Sequence, residues 1–233
     1  MSAVARATVQ ECGDAAVLVV VRGGSADERW ELVHGLAEEL GDGPLAPVPT
    51  YDRLLVEFDP LQTTHRTVTD LVHRALAGLA PRGSREVREF EIPVVYGGEP
   101  GPDLDLVAEQ QGRSPEEIVA IHSGAEYTVR CLGSPAGAPM MDGPPFPAPV
   151  PRLASPRPRV PAGAVAVAGR QAVVSAMPAP GGWAVLGRTP LRLLDLGAVP
   201  PAAYRPGDRI RFRAVGPDEF DRRSGEVLGW CRG

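Results

Sequence analysis

The 233-residue chain contains no lysine and no asparagine; all 24 of its Lys-plus-Arg positions are arginine. These two absences exclude whole mechanisms. A phosphate-cradling P-loop, a Schiff base, a Ser-Lys dyad and a kinase-type Lys-Glu pair all need lysine. N-glycosylation and an asparagine oxyanion donor need asparagine. Codon bias in a GC-rich genome accounts for both, and the exclusions hold whatever the cause. Cysteine is scarce as well. Cys12, Cys131 and Cys231 are odd in number, far apart and without a C-x-x-C pair, which argues against a disulfide framework and a structural zinc site. Long apolar runs are missing: Ala15 to Val21 spans only seven residues, follows Asp14 and has no basic flank, so neither a membrane span nor a secretory signal is expected. A net charge of -5 and the absence of any arginine run leave no footprint for nucleic acid or an anionic membrane. The expectation is a cytoplasmic protein with no metal site.

What is present is a clear alternation of strand and helix signals over the first 90 or so residues. Ala15 to Val21 is a Val-rich run suited to a buried strand. Ser25 and Glu28 form a capping box, and Trp30, Val33, Leu36, Ala37 and Leu40 line one helix face before Gly41. Two short strands, about 45–50 and 53–58, turn at Tyr51-Asp52. Val68, Leu71, Val72, Ala75, Leu76 and Leu79 make a second amphipathic helix. Pro81-Arg82-Gly83-Ser84 breaks that helix, and 86–92 reads as a strand. The order βαββαβ predicts a ferredoxin-like unit over residues 1–84.

The pattern then changes. Tyr96 to Gly101 is turn-rich, a helix starts near Pro102-Asp103-Leu104, and Ser114-Pro115-Glu116-Glu117 starts another that His122 closes. Residues 126–132 alternate as a strand. Residues 133–163 hold 10 of the 26 prolines; a loop this long is usually disordered or functional, and its small residues and the strands after it predict a partly ordered loop packed on a barrel. Short β-like segments follow at 164–168, 172–176, 183–186, 191–194 and 209–214, each bounded by Gly or Pro. This spacing predicts a small barrel over residues 85–233, carrying the Pro-rich loop 133–163, in an α+β protein with no internal repeat.

Several residues have chemistry to offer. Gly181-Gly182 permits close approach of main chain, Trp183 anchors the strand after it, and Arg188-Thr189 presents a planar cationic fork and a hydroxyl suited to a carboxylate or carbamate. Arg157 and Arg159 sit on a stiff Pro-flanked backbone and make an anion clamp conceivable. His122 lies at a helix end beside the loop-rich region, with Glu126 the nearest group to hold its tautomer. The stretch Gly133 to Pro139 offers backbone N–H groups to an oxyanion.

The succession 92–99, Gly101-Pro102-Asp103-Leu104, Ile121-His122-Ser123, Arg159-Val160-Pro161-Ala162-Gly163 and 180–190 resembles the family of 5-oxoprolinase B subunits. That family is also called allophanate hydrolase subunit 1, or the carboxyltransferase domain C/D family, and includes the sporulation kinase inhibitor KipI. The resemblance implies a ferredoxin-like domain followed by a cyclophilin-like β-barrel. It implies a component of an ATP-dependent lactam or amide hydrolase, or of a related carboxyl-transfer complex. The active site would be shared with a cyclophilin-like partner, the C-type subunit, with a third subunit in the 5-oxoprolinase complex. No cofactor would be bound by this chain alone, and ATP would be used by the complex. Carried over by position, the implied catalytic residues are His122 and Gln171, and the implied substrate-binding residues are Arg159, Gly181, Gly182, Trp183, Arg188 and Thr189. The departures are Ser134, Ala136, Ala138 and Met140 where the family has an aromatic-rich loop, Arg170 where it has Gly, and Ser175 where it has Tyr. They imply a reshaped pocket, and leave open a stand-alone enzyme of specialised metabolism or a kinase-inhibiting binding protein.

Overall fold

The computed structural model describes residues 5–41, 43–79 and 86–231. The chain divides into two compact units, Met1–Glu86 and Val87–Gly233. In the first, strands β1 (Arg6–Glu11), β2 (Ala16–Arg22), β3 (Ala46–Pro49) and β4 (Arg53–Glu57) form one antiparallel sheet in the order β1-β2-β4-β3. Helix α1 (Ala26–Gly41) follows β2, and α2 (His65–Gly78) follows β4. The period-2 residues Val17, Val19 and Val21 of β2 and Leu54 and Val56 of β4 bury against Val33, Leu36 and Leu40 of α1 and Val68 and Val72 of α2. The capping box that starts α1 is formed: Glu28 N–H donates to Ser25 Oγ at 3.1 Å and Ser25 N–H to Glu28 Oε2 at 2.5 Å.

This topology is ββαββα and corrects the expected ferredoxin-like βαββαβ order. Two strands account for the difference. β1 is an edge strand whose Arg6, Thr8 and Gln10 are exposed, so it carries no apolar run to announce it. The strand expected to close the sheet, β5 (Glu89–Tyr96), instead turns Phe90, Ile92 and Val94 into the core of the second unit. The break expected at Pro81 to Ser84 lies outside the described residues.

In the second unit seven strands close a barrel in the order β10-β7-β6-β13-β5-β12-β9. They are β5, β6 (Glu126–Gly133), β7 (Ala138–Asp142), β9 (Ala164–Ala168), β10 (Gln171–Val174), β12 (Ala184–Arg188) and β13 (Arg209–Ala214). Every pairing is antiparallel except β13 with β5. Between them lie α3 (Leu104–Gln111) and α4 (Pro115–Gly124), α4 opened by a complete Ser114/Glu117 capping box, and α5 (Pro217–Arg223) follows β13. The Pro-rich stretch is more ordered than a loop. It contains β7 and β8 (Arg157–Val160), and β8 pairs with β11 (Ala179–Gly181) as a separate two-stranded sheet. Conversely, the strand expected at 191–194 is only two isolated bridges, Arg192 to Val227 and Leu194 to Ala202.

Two glycines set how closely β5 and the turn after it approach β12. A Cβ on Gly187 would stand 2.5 Å from Val95 O, and one on Gly101 would stand 2.0 Å from Leu186 O. Both distances are below any tolerable contact, and the atoms met are main chain, so neither can swing away. Gly101→Ala is expected to destabilise the protein by about 3 kcal/mol. Gly124→Ala, at a helical glycine whose Cβ would meet nothing, is expected to be neutral or to stabilise by up to about 1 kcal/mol. Urea unfolding of the two variants beside the wild type checks the contrast.

Candidate functional site

A cavity of about 520 Å³ opens where the end of β12 meets the turn into β9 and the segment after α5. The chain reaches it through Gly163, whose φ of +80° and missing side chain let Thr189 O pass 2.6 Å from where a Cβ would stand. Gly163 O accepts Thr189 N–H at 2.9 Å, and Gly163 N–H donates to Ser175 O at 2.8 Å, which fixes three segments around one point. Arg188 lies on this wall, half-buried. Its Nε–H donates to Ala162 O at 3.2 Å, and its two Nη groups meet no acceptor among the described residues. Buried Thr189 accepts Leu191 N–H on Oγ1 at 3.3 Å, which leaves its own O–H to donate. Arg192 also lines the cavity, its Nε–H donating to Gly225 O at 2.9 Å. No Asp or Glu among the described residues lines the cavity, and Met177, Leu196 and Phe220 give it an apolar side. The arrangement is suited to a small carboxylate with an apolar body.

The other positions inferred by resemblance fall elsewhere. Gln171 starts β10 opposite Ala168, whereas Arg188 pairs with Ala164 at the other end of β9. The two are thus separated by roughly 13 Å of strand. Gly181 pairs with β8, and a Cβ there would stand 3.0 Å from Val160 Cγ2. Gly182 O accepts Leu153 N–H at 2.8 Å, and Trp183 packs with Val160, Ala164, Ala166 and Val185. This trio fastens the Pro-rich segment to the outside of the barrel and lines no part of the cavity. Arg159 is exposed on β8. Its neighbour Arg157 is committed to a bidentate pair with buried Asp103, both contacts at 2.7 Å, and Asp103 also accepts Val185 N–H at 2.7 Å. The Gly133–Pro139 turn joins β6 to β7 and likewise lies outside the cavity lining.

His122 is fully buried. Its ring stacks obliquely on Phe212 at 4.6 Å and lies 5.3 Å from the Tyr127 ring. Its Nδ1 is bonded to Tyr96 Oη at 2.7 Å, and Nε2 has no partner among the described residues. Glu126, expected to orient it, instead pairs with Arg209 and Arg211 on the barrel exterior, because alternation along β6 sends Tyr127 inward and Glu126 out. Tyr96 pairs in register with Gly187, so the His122–Tyr96 contact buttresses the strand that carries Arg188. The sequence reading singled out neither Arg192, which lines the cavity, nor a role for Tyr96. The outward position of Arg192 between buried Leu191 and Leu193 was the available signal for the first.

Burial lowers the His122 pKa from 6.5 to about 3, so the folded protein holds the ring neutral. Between those values the unfolded chain binds a proton that the folded chain does not. The stability this group contributes is therefore complete above pH 6.5 and is lost as pH falls towards 3. Lowering the pH from 7 to 5 is expected to cost the wild type about 2 kcal/mol more than His122→Gln, whose amide keeps a partner for Tyr96. Denaturant unfolding of both proteins at the two pH values measures the difference.

Residues 7–204 match the family described as carboxyltransferase domain, subdomain C and D. The B subunit of 5-oxoprolinase from Bacillus subtilis (strain 168) is 33% identical over 229 residues, covering 92% of this chain and 95% of that protein. That of Escherichia coli O157:H7 is 46% identical over 127 residues, 54% of this chain and 58% of its own length. Among solved structures, TTHA0988 is 37% identical with a TM-score of 0.71 over 87% of this chain, which spans 40% of the longer TTHA0988 polypeptide. The Kluyveromyces lactis urea carboxylase, at 15% identity, shares the fold with a TM-score of 0.81, over 96% of this chain and 24% of its own. The motifs around Tyr96, Asp103 and Arg188, the closed barrel and these matches agree, and the chain belongs to the carboxyltransferase subdomain C and D family, together with the 5-oxoprolinase B subunits.

Proposed function

We propose that the chain is the B-type component of an ATP-dependent 5-oxoprolinase-type complex and supplies the half of the active site that holds the substrate carboxylate. The observation that carries this reading is Arg188: a guanidinium fixed through Nε to Ala162 O, its Nη edge unpaired among the described residues and turned to a cavity without acids. A carboxylate received bidentately on that edge makes two charge-assisted hydrogen bonds, and the Thr189 hydroxyl adds a third donor.

The cavity lining holds no histidine, cysteine or acid among the described residues to move a proton, and the chain carries no lysine for a nucleotide-binding loop. Proton transfer and ATP chemistry therefore fall to a cyclophilin-like partner of the C type and a third subunit. The naming of the relatives as B subunits supports this, as does TTHA0988, where the matching segment is part of a longer polypeptide. His122 serves as a positioning residue acting through Tyr96.

The complex reconstituted with its partner subunits is expected to open 5-oxoproline with ATP, and neither the chain nor the partners alone. Arg188→Lys, which keeps the charge but loses the fork, is expected to lower kcat/KM by at least about tenfold, chiefly through KM. Steady-state kinetics of the complex decide it; no turnover of 5-oxoproline with ATP in the full assembly overturns the reading.

A further inference from the structure

Most arginines of the second unit meet a carboxylate: Arg88 meets Asp208, Arg130 meets Asp142, Arg157 meets Asp103, Arg213 meets Glu91 and Glu219, and Arg223 meets Glu226. Arg188 and Arg192 meet none among the described residues, and both line one cavity. Each is held in the same manner, by Nε–H on a main-chain carbonyl, Ala162 O at 3.2 Å for one and Gly225 O at 2.9 Å for the other. This bond restrains each guanidinium, that of exposed Arg192 included, and leaves its two Nη groups as a fork. The main chain beneath Arg192 is fixed too, since its N–H donates to Glu226 O at 2.7 Å and its O accepts Leu228 N–H at 2.9 Å. Two positive charges thus line one cavity that no Asp or Glu among the described residues lines, in a chain of net charge -5.

We infer that this cavity selects a small dianion, with one anionic group on Arg188 and Thr189 and a second on Arg192. The inference rests on the reading of the cavity as the carboxylate site and adds its second subsite. A ligand with one carboxylate leaves one fork facing only water. A ligand with two anionic groups satisfies both and offsets the mutual repulsion of the guanidinium groups. The second group is a carboxylate or a phosphoryl group, both of which match a planar fork.

Calorimetric titration of the purified full chain with glutarate, 3-phosphonopropionate and butyrate separates these cases. Either dianion is expected to bind at least about tenfold tighter than butyrate, and the tighter of the two identifies the second group as carboxylate or phosphoryl. Arg192→Gln is expected to reduce dianion affinity to the butyrate level and to leave butyrate binding unchanged, with Arg192→Lys intermediate. Thermal unfolding confirms that the variants are folded. Equal affinity for butyrate and the dianions, abolished by Arg188→Gln and insensitive to Arg192→Gln, overturns the second subsite and leaves the carboxylate site standing. Absence of binding, or binding that neither arginine variant alters, overturns both.

Discussion

One buried carboxylate ties the cavity end of the barrel together. Asp103 accepts two N–H bonds from Arg157 on β8 and one from the Val185 main chain on β12, all at 2.7 Å. It stands immediately before α3 and makes no side-chain cap to that helix, so its whole accepting capacity goes to tertiary contacts. Three segments distant in sequence are joined at a single point. Removing either ionised partner would leave the other uncompensated or leave Val185 N–H unsatisfied, a defect of about 3–5 kcal/mol in comparable pairs. β12 continues from this anchor to Arg188, and β8 continues to Ala162 and Gly163. The two walls of the cavity therefore diverge from the same ion pair.

The absence of lysine shapes this architecture as well as excluding mechanisms. A guanidinium can serve two acceptors with fixed geometry, where an ammonium is a point charge. Arg213 bridges Glu91 and Glu219, tying β13 to its parallel neighbour β5 and to α5, and its pKa is raised chiefly by the hydrogen bonds to Glu219 and then Glu91. Arg211 bridges Glu89 and Glu126 from the strands on either side. These exposed pairs are individually weak, but together they mark the seam at which the barrel closes through its parallel pairing. Buried Asp208 takes Arg88 and the Arg205 main-chain N–H at the start of the same seam.

How much of this was legible in the sequence depended on whether the signal was local. The helices with cap and stripe (Ser25 and Glu28, Ser114 and Glu117, Val68 to Leu76) were readable, because capping and periodicity are encoded within a few residues. β13 was readable from strict alternation of Arg with Ile210 and Phe212. The destination of β5 was not, since pattern reveals that a strand has a buried face without saying against which sheet. β8 was hidden by its proline and its polar sequence, and its place is set by Arg157 reaching Asp103 across 54 residues. At the site, Arg188 and Thr189 stood out as a cation and hydroxyl ending an apolar strand. Gly181 to Trp183 stood out equally but pack against the Pro-rich segment on the outside of the barrel, because a glycine pair permits close approach without specifying to what.

The same close approaches set the Arg188 guanidinium on the cavity wall in a chain without lysine. Affinity for a small ligand depends on how little must be ordered when it binds, and long arginine side chains normally lose considerable freedom. Here the Nε contact of Arg188 already restricts that freedom. Gly187 lets β12 lie against Val95 O, Gly163 lets the β9 turn lie against Thr189 O, and Ala162 O then captures Nε of Arg188. Larger residues at either glycine would push the strand outward and release the guanidinium. Backbone proximity at two glycines thus becomes preorganisation of one guanidinium on the cavity wall of an otherwise acidic protein.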